Sequence, residues 1–457
     1  MRHLLFAAVV AAPAIAMAQT APIVGDWYGT LNAGGASLPL VFHIKADGSA
    51  AVDSPAQKAL GLAATASFAD GKARVTLTAI PASFEGVLSA DGKTLDGKWS
   101  QGGAQLPLTL GRTPPPVQAV AAPVRPQTPK PPFPYRAEDV SYLNPVSGLK
   151  LAGTLTLPQG DGPFPAALLI TGSGVQDRDG TIRNHKPFLV LADALTRKGV
   201  AVLRVDDRGA GGSQAGDLMA ATTADYATDV EAGVAFLRGR KDIDPGRVGL
   251  IGHSEGGLIA PMVAARDIRI AFIVLMAGTG VPGGDVLKTQ IHDITLASGA
   301  PEEKARQQAK AIAAANAIVL EEPDTTKARS RIITALMDGG VPSRAAAEAQ
   351  VTLLTSAWYR TFLTLDPAPS LRQVRAPVLA VNGEKDTQVS AKENLPAIKA
   401  ALTQSRDVTI VALPGLNHQF QTATTGAPSE YGQIEETLAP TALDLIVNWT
   451  AERATPR

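Results

Sequence analysis

Gly252-His253-Ser254-Glu255-Gly256 sets a serine between two glycines, after the apolar run 248–251 and before a helix-like stretch at 258–265. A strand that turns sharply into a helix needs residues without a Cβ on both sides of the turn, and the residue between them projects from the strand's carboxyl end. A serine so placed is positioned as a nucleophile. Its hydroxyl stays unreactive until a neighbouring base removes the proton, so a histidine is required. Six are available: His3, His43, His185, His253, His292 and His418. Cysteine is absent, which removes thiol nucleophiles, disulfides and thiolate metal sites.

The elements that must position these groups belong to a chain of 457 residues, 45% hydrophobic and 18% charged. That is enough apolar material for one large core and a smaller one, and it excludes a disordered or collagen-like chain. Lysine plus arginine equals aspartate plus glutamate, 42 each, so no basic excess points to nucleic acid or anionic lipid. Residues 113–134 contain nine prolines. Each lacks an amide proton and holds its neighbour extended, so this segment is expected to be a semi-rigid linker. It separates an amino-terminal module, residues 22–112, from a carboxy-terminal one, residues 135–457.

The first module has β-rich runs such as 38–44 and 73–77, with Asp-Gly pairs at 47/48, 70/71, 91/92 and 96/97. Asp-Gly tolerates the positive φ of tight hairpins, so these pairs predict an all-antiparallel sandwich or small barrel. Gly25-Asp26-Trp27 and Gly97-Lys98-Trp99 resemble the strand openings of lipocalin-like barrels, and both tryptophans are expected to fill the core. His43 on a strand reads as structural. In the second module, apolar runs at 166–170, 200–205, 248–251, 271–276, 378–381 and 408–412 are mostly separated by helical stretches. This is the pattern of an α/β domain, a mostly parallel sheet with helices on both faces. A preceding pair, 140–143 and 149–157, reads as an antiparallel entry hairpin. Residues 281–369, rich in Ala, Glu, Lys, Gln and Arg at helical spacing, read as a helical cap inserted between the sixth and seventh strands.

This organisation narrows the histidines. His3 lies in the leader, His43 in the other module and His292 in the cap, while the turn directs His253 away from its neighbour Ser254. His185 and His418 remain. From about residue 134 to its end the chain resembles an α/β-hydrolase, most of all the bacterial secreted serine hydrolases that include acyl esterases and serine aminopeptidase-like enzymes. The resemblance implies a catalytic order of Ser, Asp, His. It makes Ser254 the nucleophile and His418, in the loop 414–419 after the last strand, the base. Asp386, in Gly383-Glu384-Lys385-Asp386 after the seventh strand, becomes the acid that orients the imidazole, with Glu384 as the alternative. It also implies an oxyanion hole that includes the backbone N–H of Glu255 and a second N–H from the loop after the first parallel strand. That loop, 171–180, resembles the family's HGxG-type loop without its leading histidine, and Ser173 is expected to supply the N–H. Residues 206–213 resemble the family's Asp-x-Arg-Gly-x-Gly-x-Ser loop, whose role is chiefly structural. The side chain of Glu255 is expected to be a solvated carboxylate at a helix N-terminus. Asp177, Arg178 and Arg208 fit either substrate contacts or an internal ion-pair network.

No His-x-x-x-His or His-Glu-x-x-His pattern occurs, and the glycines at 209–212 are not followed by Lys-Ser/Thr, so neither a metal nor a cofactor is implied. Arg2, His3, the apolar run 4–15 and Ala16-Met17-Ala18 resemble a signal peptide covering residues 1–18. The run is shorter than the ~20 residues that cross a bilayer. A periplasmic or extracellular protein without a membrane span is therefore expected. The leading functional expectation is a secreted serine hydrolase that cleaves small-molecule carboxylic esters through an acyl-enzyme. The alternatives are a serine peptidase of the aminopeptidase or acylaminoacyl-peptidase type, and a non-catalytic binding protein whose β module contacts envelope glycan or lipid.

Overall fold

The computed structural model describes residues 20–454 except 34–35, 56–58, 79–81, 102–103, 115–123 and 342. The expected signal peptide, residues 1–18, lies outside the described residues. Two compact units divide between Val120 and Ala121.

The first unit is a closed antiparallel barrel of eight strands: Gly25–Ala33, Ala36–Ile44, Ser49–Ser54, Ala59–Ala69, Lys72–Leu77, Ala82–Leu88, Thr94–Gln101 and Ala104–Gly111 (β1–β8). β5 shows the cause, because every second residue is buried. Trp27, Phe42, Phe84 and Trp99 fill the interior, with Phe42 edge-on to both Phe84 and Trp99. The Arg112 guanidinium lies 3.8 Å above the Trp27 ring. Outside this core, His43 hydrogen-bonds Asp26 and Asp53. Gly48, Gly71 and Gly92 take positive φ, as Asp-Gly turns require. Asp96-Gly97 departs from the expected turn and runs inside β7. Gly97 faces Gly86 of β6, and a Cβ there would fall 2.4 Å from the Gly86 Cα, so this glycine serves close strand approach.

The second unit is an α/β domain. Its strands are Arg136–Leu143, Lys150–Leu157, Phe164–Ile170, Ala201–Val205, Ile243–His253, Ile273–Met276, Val378–Gly383 and Val408–Leu413 (β9–β16). They form one sheet in the order β16-β15-β14-β13-β11-β12-β10-β9, antiparallel at the β9–β10–β12 end and parallel elsewhere. Its helices are Pro187–Arg197, Thr223–Arg238, Glu255–Arg266, Gly283–Ala297, Glu302–Glu321, Thr325–Asp338, Arg344–Leu354, Ala357–Thr364, Ala368–Leu371, Ala391–Ala401 and Pro440–Ala454 (α1–α11). Neighbouring residues of one strand serve opposite cores. Leu168, Leu250 and Leu275 pack with α2, α3 and α10, whereas Leu169, Ile251 and Val274 pack with α1 and α11. Double-sided burial explains why these strands read as continuous apolar runs.

Helices α4 to α9 lie between β14 and β15, the sixth and seventh strands of the unit, and form the cap. Ile312, Val319, Ile332, Leu336, Val351 and Leu363 give it a core of its own. Asp324, Ser343 and Ser356 cap α6, α7 and α8 by accepting backbone N–H bonds. The carboxy-terminal end of the proline-rich segment belongs to this unit. Arg125 donates to the carbonyls of Arg183, Gly432 and Ile434, and Gln127 bonds the backbone of Thr437 and Leu438. No helix among the described residues is long and apolar enough to cross a membrane.

Candidate active site

Ser254 stands between β13 and α3 with φ 56° and ψ −117°, a conformation strained for any residue with a Cβ. Its surroundings hold it there. The Ser254 N–H donates to the Met276 carbonyl at 2.8 Å, and its own carbonyl accepts from Gly257 N–H at 2.9 Å. A Cβ on Gly252 would lie 2.0 Å from the Gly256 oxygen, and one on Gly256 would lie 2.2 Å from the Ile170 oxygen. Strand, turn and helix are therefore closer together than a side chain at either position would allow.

Asp386 follows β15 and His418 follows β16, and parallel pairing of these strands sets their loops side by side. His418 Nδ1 lies 2.8 Å from Asp386 Oδ2, and both residues are buried. The other carboxylate oxygen accepts the backbone N–H groups of Gln388 and Val389, each at 2.8 Å. Ser254, His253 and His418 line one cavity of about 560 Å³, walled by the loop 172–176 and by cap residues including Leu287, Trp358 and Phe362. Among the described residues neither the Ser254 hydroxyl nor His418 Nε2 makes a hydrogen bond. Glu384 is exposed and the His418 ring bonds Asp386 instead. His185 is committed elsewhere, its Nε2–H donating to the Tyr431 carbonyl and its Nδ1 accepting from the Thr437 hydroxyl. His292 pairs with Asp293 and Glu302 in the cap.

The Glu255 N–H lies at the first position of α3, where no intrahelical acceptor exists, and the loop carrying Ser173 lies against Ser254. A Cβ on Gly172 would fall 3.1 Å from the Ser254 Cβ. Ser173 and Glu255 both line the cavity.

The alpha/beta hydrolase family profile matches residues 180–428, more than half of the 457-residue chain. The chain belongs to the alpha/beta hydrolase family. It is 27% identical over 306 residues to esterase EstD of Thermotoga maritima, a match that covers 65% of this chain and 65% of that relative. Among solved structures it is similar to the alpha/beta hydrolase GrgF of Penicillium sp. sh18, at 17% identity over 70% of this chain and 99% of that one, with a TM-score of 0.44. A 2,6-dihydroxy-pseudo-oxynicotine hydrolase matches at 16% identity over 70% of this chain and 68% of its own, with a TM-score of 0.42.

Around the site, this alpha/beta hydrolase departs from the sequence reading in two ways. The Glu255 side chain is buried rather than solvated, and one carboxylate oxygen accepts both Thr223 Oγ1 at 2.7 Å and Trp358 Nε1 at 2.8 Å. It thereby ties α2 and the cap helix α8 to the turn that carries Ser254. Replacing Glu255 with leucine strands both donors and is expected to cost about 2–4 kcal/mol, whereas Glu255→Gln keeps the shared acceptor and should cost roughly 1 kcal/mol or less. Denaturant unfolding of the two variants checks the difference.

His253 has a function that sequence reading missed. Its Nε2–H donates to the His418 carbonyl at 2.9 Å, with the two rings 4.7 Å apart, so it props the loop that carries His418. Burial pushes its pKa down to about 3. A histidine held neutral in this way contributes stability that is present above pH 6.5 and lost as pH falls towards 3. His253→Gln retains a donor without the titration. It should make stability fall less steeply across this range, by about 1.4 kcal/mol per pH unit. His185, whose pKa is also lowered by burial, leaves a residual slope. Unfolding curves at a series of pH values measure it.

The loops that carry Ser173 and the Asp-Arg-Gly turn are held by internal bonds, the structural role expected of residues 206–213. Asp207 accepts Thr171 Oγ1 at 2.7 Å and Gln176 N–H at 2.9 Å, holding the loop in place from beneath, and its burial raises its pKa to about 7. Arg178 pairs with Asp206 and Asp139, and Arg208 with Asp229. Asp177 accepts the N–H groups of Asp179 and Thr181. These residues form an internal network. Asp207 stands at the variable position of the Asp-x-Arg-Gly motif, so the motif alone carried no sign of its bracing role.

Proposed function

We propose that this alpha/beta hydrolase cleaves carboxylic esters, with Ser254 as nucleophile, His418 as base and Asp386 as the orienting acid. The observation that carries the reading is the buried Asp386–His418 hydrogen bond of 2.8 Å, opening on the same cavity as Ser254. An ionised Asp386 accepts Nδ1–H, which leaves Nε2 unprotonated and free to take the serine proton. Ser254 Oγ then bonds to the acyl carbon while its proton passes to Nε2. Charge develops on the former carbonyl oxygen, and the N–H groups of Glu255 and Ser173 are the donors assigned to it. The intermediate collapses as His418 returns the proton to the departing alkoxide, leaving an acyl group on Ser254. Water, deprotonated by His418, repeats the sequence and releases the acid. The similarity to an esterase supports esters over amides, since the constellation itself serves both.

The test compares purified enzyme on short and long p-nitrophenyl esters and on aminoacyl anilides, with fluorophosphonate labelling of Ser254. Ester turnover and a labelled serine are the expected results. Dominant anilide turnover would assign a peptidase, and an unlabelled, inactive protein would assign a binding role to the chain. We also propose export with removal of residues 1–18. Amino-terminal sequencing of the mature protein should begin at Gln19.

A further inference from the structure

One turn at the cavity's edge holds an arginine in a conformation that it disfavours. Ile182 N–H donates to the His185 carbonyl at 3.1 Å, and His185 N–H donates to the Ile182 carbonyl at 2.8 Å, leaving Arg183 and Asn184 as a two-residue turn. Both central residues have positive φ, 49° and 66°. Asparagine adopts that region readily, but arginine does so at a cost of order 1 kcal/mol, and such strain persists only where the surroundings over-determine it. Here they do. The His185 ring is buried and bonded to Thr437 and the Tyr431 carbonyl. Arg125 donates to the Arg183 carbonyl at 2.9 Å and, from the same guanidinium, to the carbonyls of Gly432 and Ile434. The Arg183 stem runs beside Gly432, 3.8 Å from where a Cβ on that glycine would stand.

The turn presents a charge to the catalytic cavity. Arg183 lines it and is exposed, and among the described residues its guanidinium makes no ion pair and no hydrogen bond. Arg178, Arg204 and Arg208 nearby are all paired with aspartates. The cavity's other formally charged lining residue, Glu255, is buried and already bonded to Thr223 and Trp358. The remaining polar lining consists of neutral groups such as Gln176, Gln290, Gln388 and Gln419. Among the described residues the cavity therefore presents one cation free of a partner, with five N–H donors in a planar fork, the geometry that matches a carboxylate, while the balancing carboxylate of Glu255 is turned to Thr223 and Trp358.

Resting on the ester-hydrolase reading, we propose that Arg183 is a specificity-determining residue and that the preferred substrates are esters bearing a free carboxylate. The cation binds the carboxylate while the ester carbonyl reaches Ser254. No step of the chemistry changes, only the choice of substrate.

The binding test uses Ser254→Ala protein, which cannot turn the ligand over. Calorimetry measures 4-acetoxybenzoate against its neutral amide, 4-acetoxybenzamide, for a carboxylate on the alcohol side, and monomethyl adipate against its monoamide for one on the acyl side. In at least one pair the carboxylate should bind about tenfold more tightly, the size of a charge-assisted bond discounted for solvent. Adding Arg183→Gln should bring that ratio to about one, with Arg183→Lys between them, and salt should lower the wild-type preference. Equal affinity for acid and amide in both pairs, no binding of either acid, or a preference that survives Arg183→Gln would overturn the proposal. Turnover of p-nitrophenyl acetate by protein with Ser254 intact is read separately. Its absence would sink the ester reading and leave the binding result to decide on Arg183.

Discussion

Replacing Ser254 with alanine is expected to lower ester turnover by roughly four to six orders of magnitude. Without Oγ no acyl-enzyme can form, and the residual rate is what the oxyanion donors and substrate positioning supply to attack by water. Stability should move differently from activity. Alanine keeps a Cβ in the strained conformation at φ 56°, so Ser254→Ala should unfold within about 0.5 kcal/mol of the parent. Glycine removes the Cβ that makes this region costly, so Ser254→Gly should be inactive yet more stable by about 1 kcal/mol. Steady-state kinetics and denaturant unfolding on the three proteins check both halves. An alanine variant that turns over ester at the parental rate would remove Ser254 from the mechanism, and a glycine variant no more stable than alanine would show that the turn stores no strain.

The same strain marks how far the sequence could be read. The turn was legible because steric exclusion leaves a local trace: Gly252 and Gly256 stand where a Cβ would strike backbone, and the apolar run before them is a strand buried on both faces. The cap was legible from helical spacing over a long interval. Asp386 and His418 were different, since residue type and position left His185 open and only the family resemblance chose between them. What distinguishes the two histidines physically is three-dimensional. His185 spends its two ring nitrogens on Thr437 and the Tyr431 carbonyl, and no local pattern announces partners so far along the chain. Glu255 shows the same limit in reverse. A helix N-terminus explains a carboxylate there, but its burial follows from α8 of the cap folding back to bring Trp358 within 2.8 Å. Asp96-Gly97 failed as a turn because the same dipeptide that permits positive φ also permits close strand approach, and pairing with Gly86 selected the latter.

Asp386→Asn should lower turnover by about four orders of magnitude while leaving the loop in place. The reason lies in how the carboxylate divides its oxygens. One accepts the N–H groups of Gln388 and Val389, and the other accepts Nδ1–H of His418. An asparagine has a single oxygen. Turning its amide nitrogen towards Gln388 and Val389 would set donors against donors and abandon two buried backbone groups, at about 1–3 kcal/mol each. The oxygen therefore stays with the backbone, and the NH₂ group faces His418. Nδ1 must then accept, the ring proton moves to Nε2, and the imidazole presents a donor where the Ser254 hydroxyl needs an acceptor. Stability should change by about 1 kcal/mol or less, because every backbone bond is kept. Kinetics measure the loss, and the imidazole N–H resonances of the variant should report the proton on Nε2 rather than Nδ1. A variant within tenfold of the parent would show that the carboxylate does not set the tautomer, and the acid role assigned to Asp386 would fall with it.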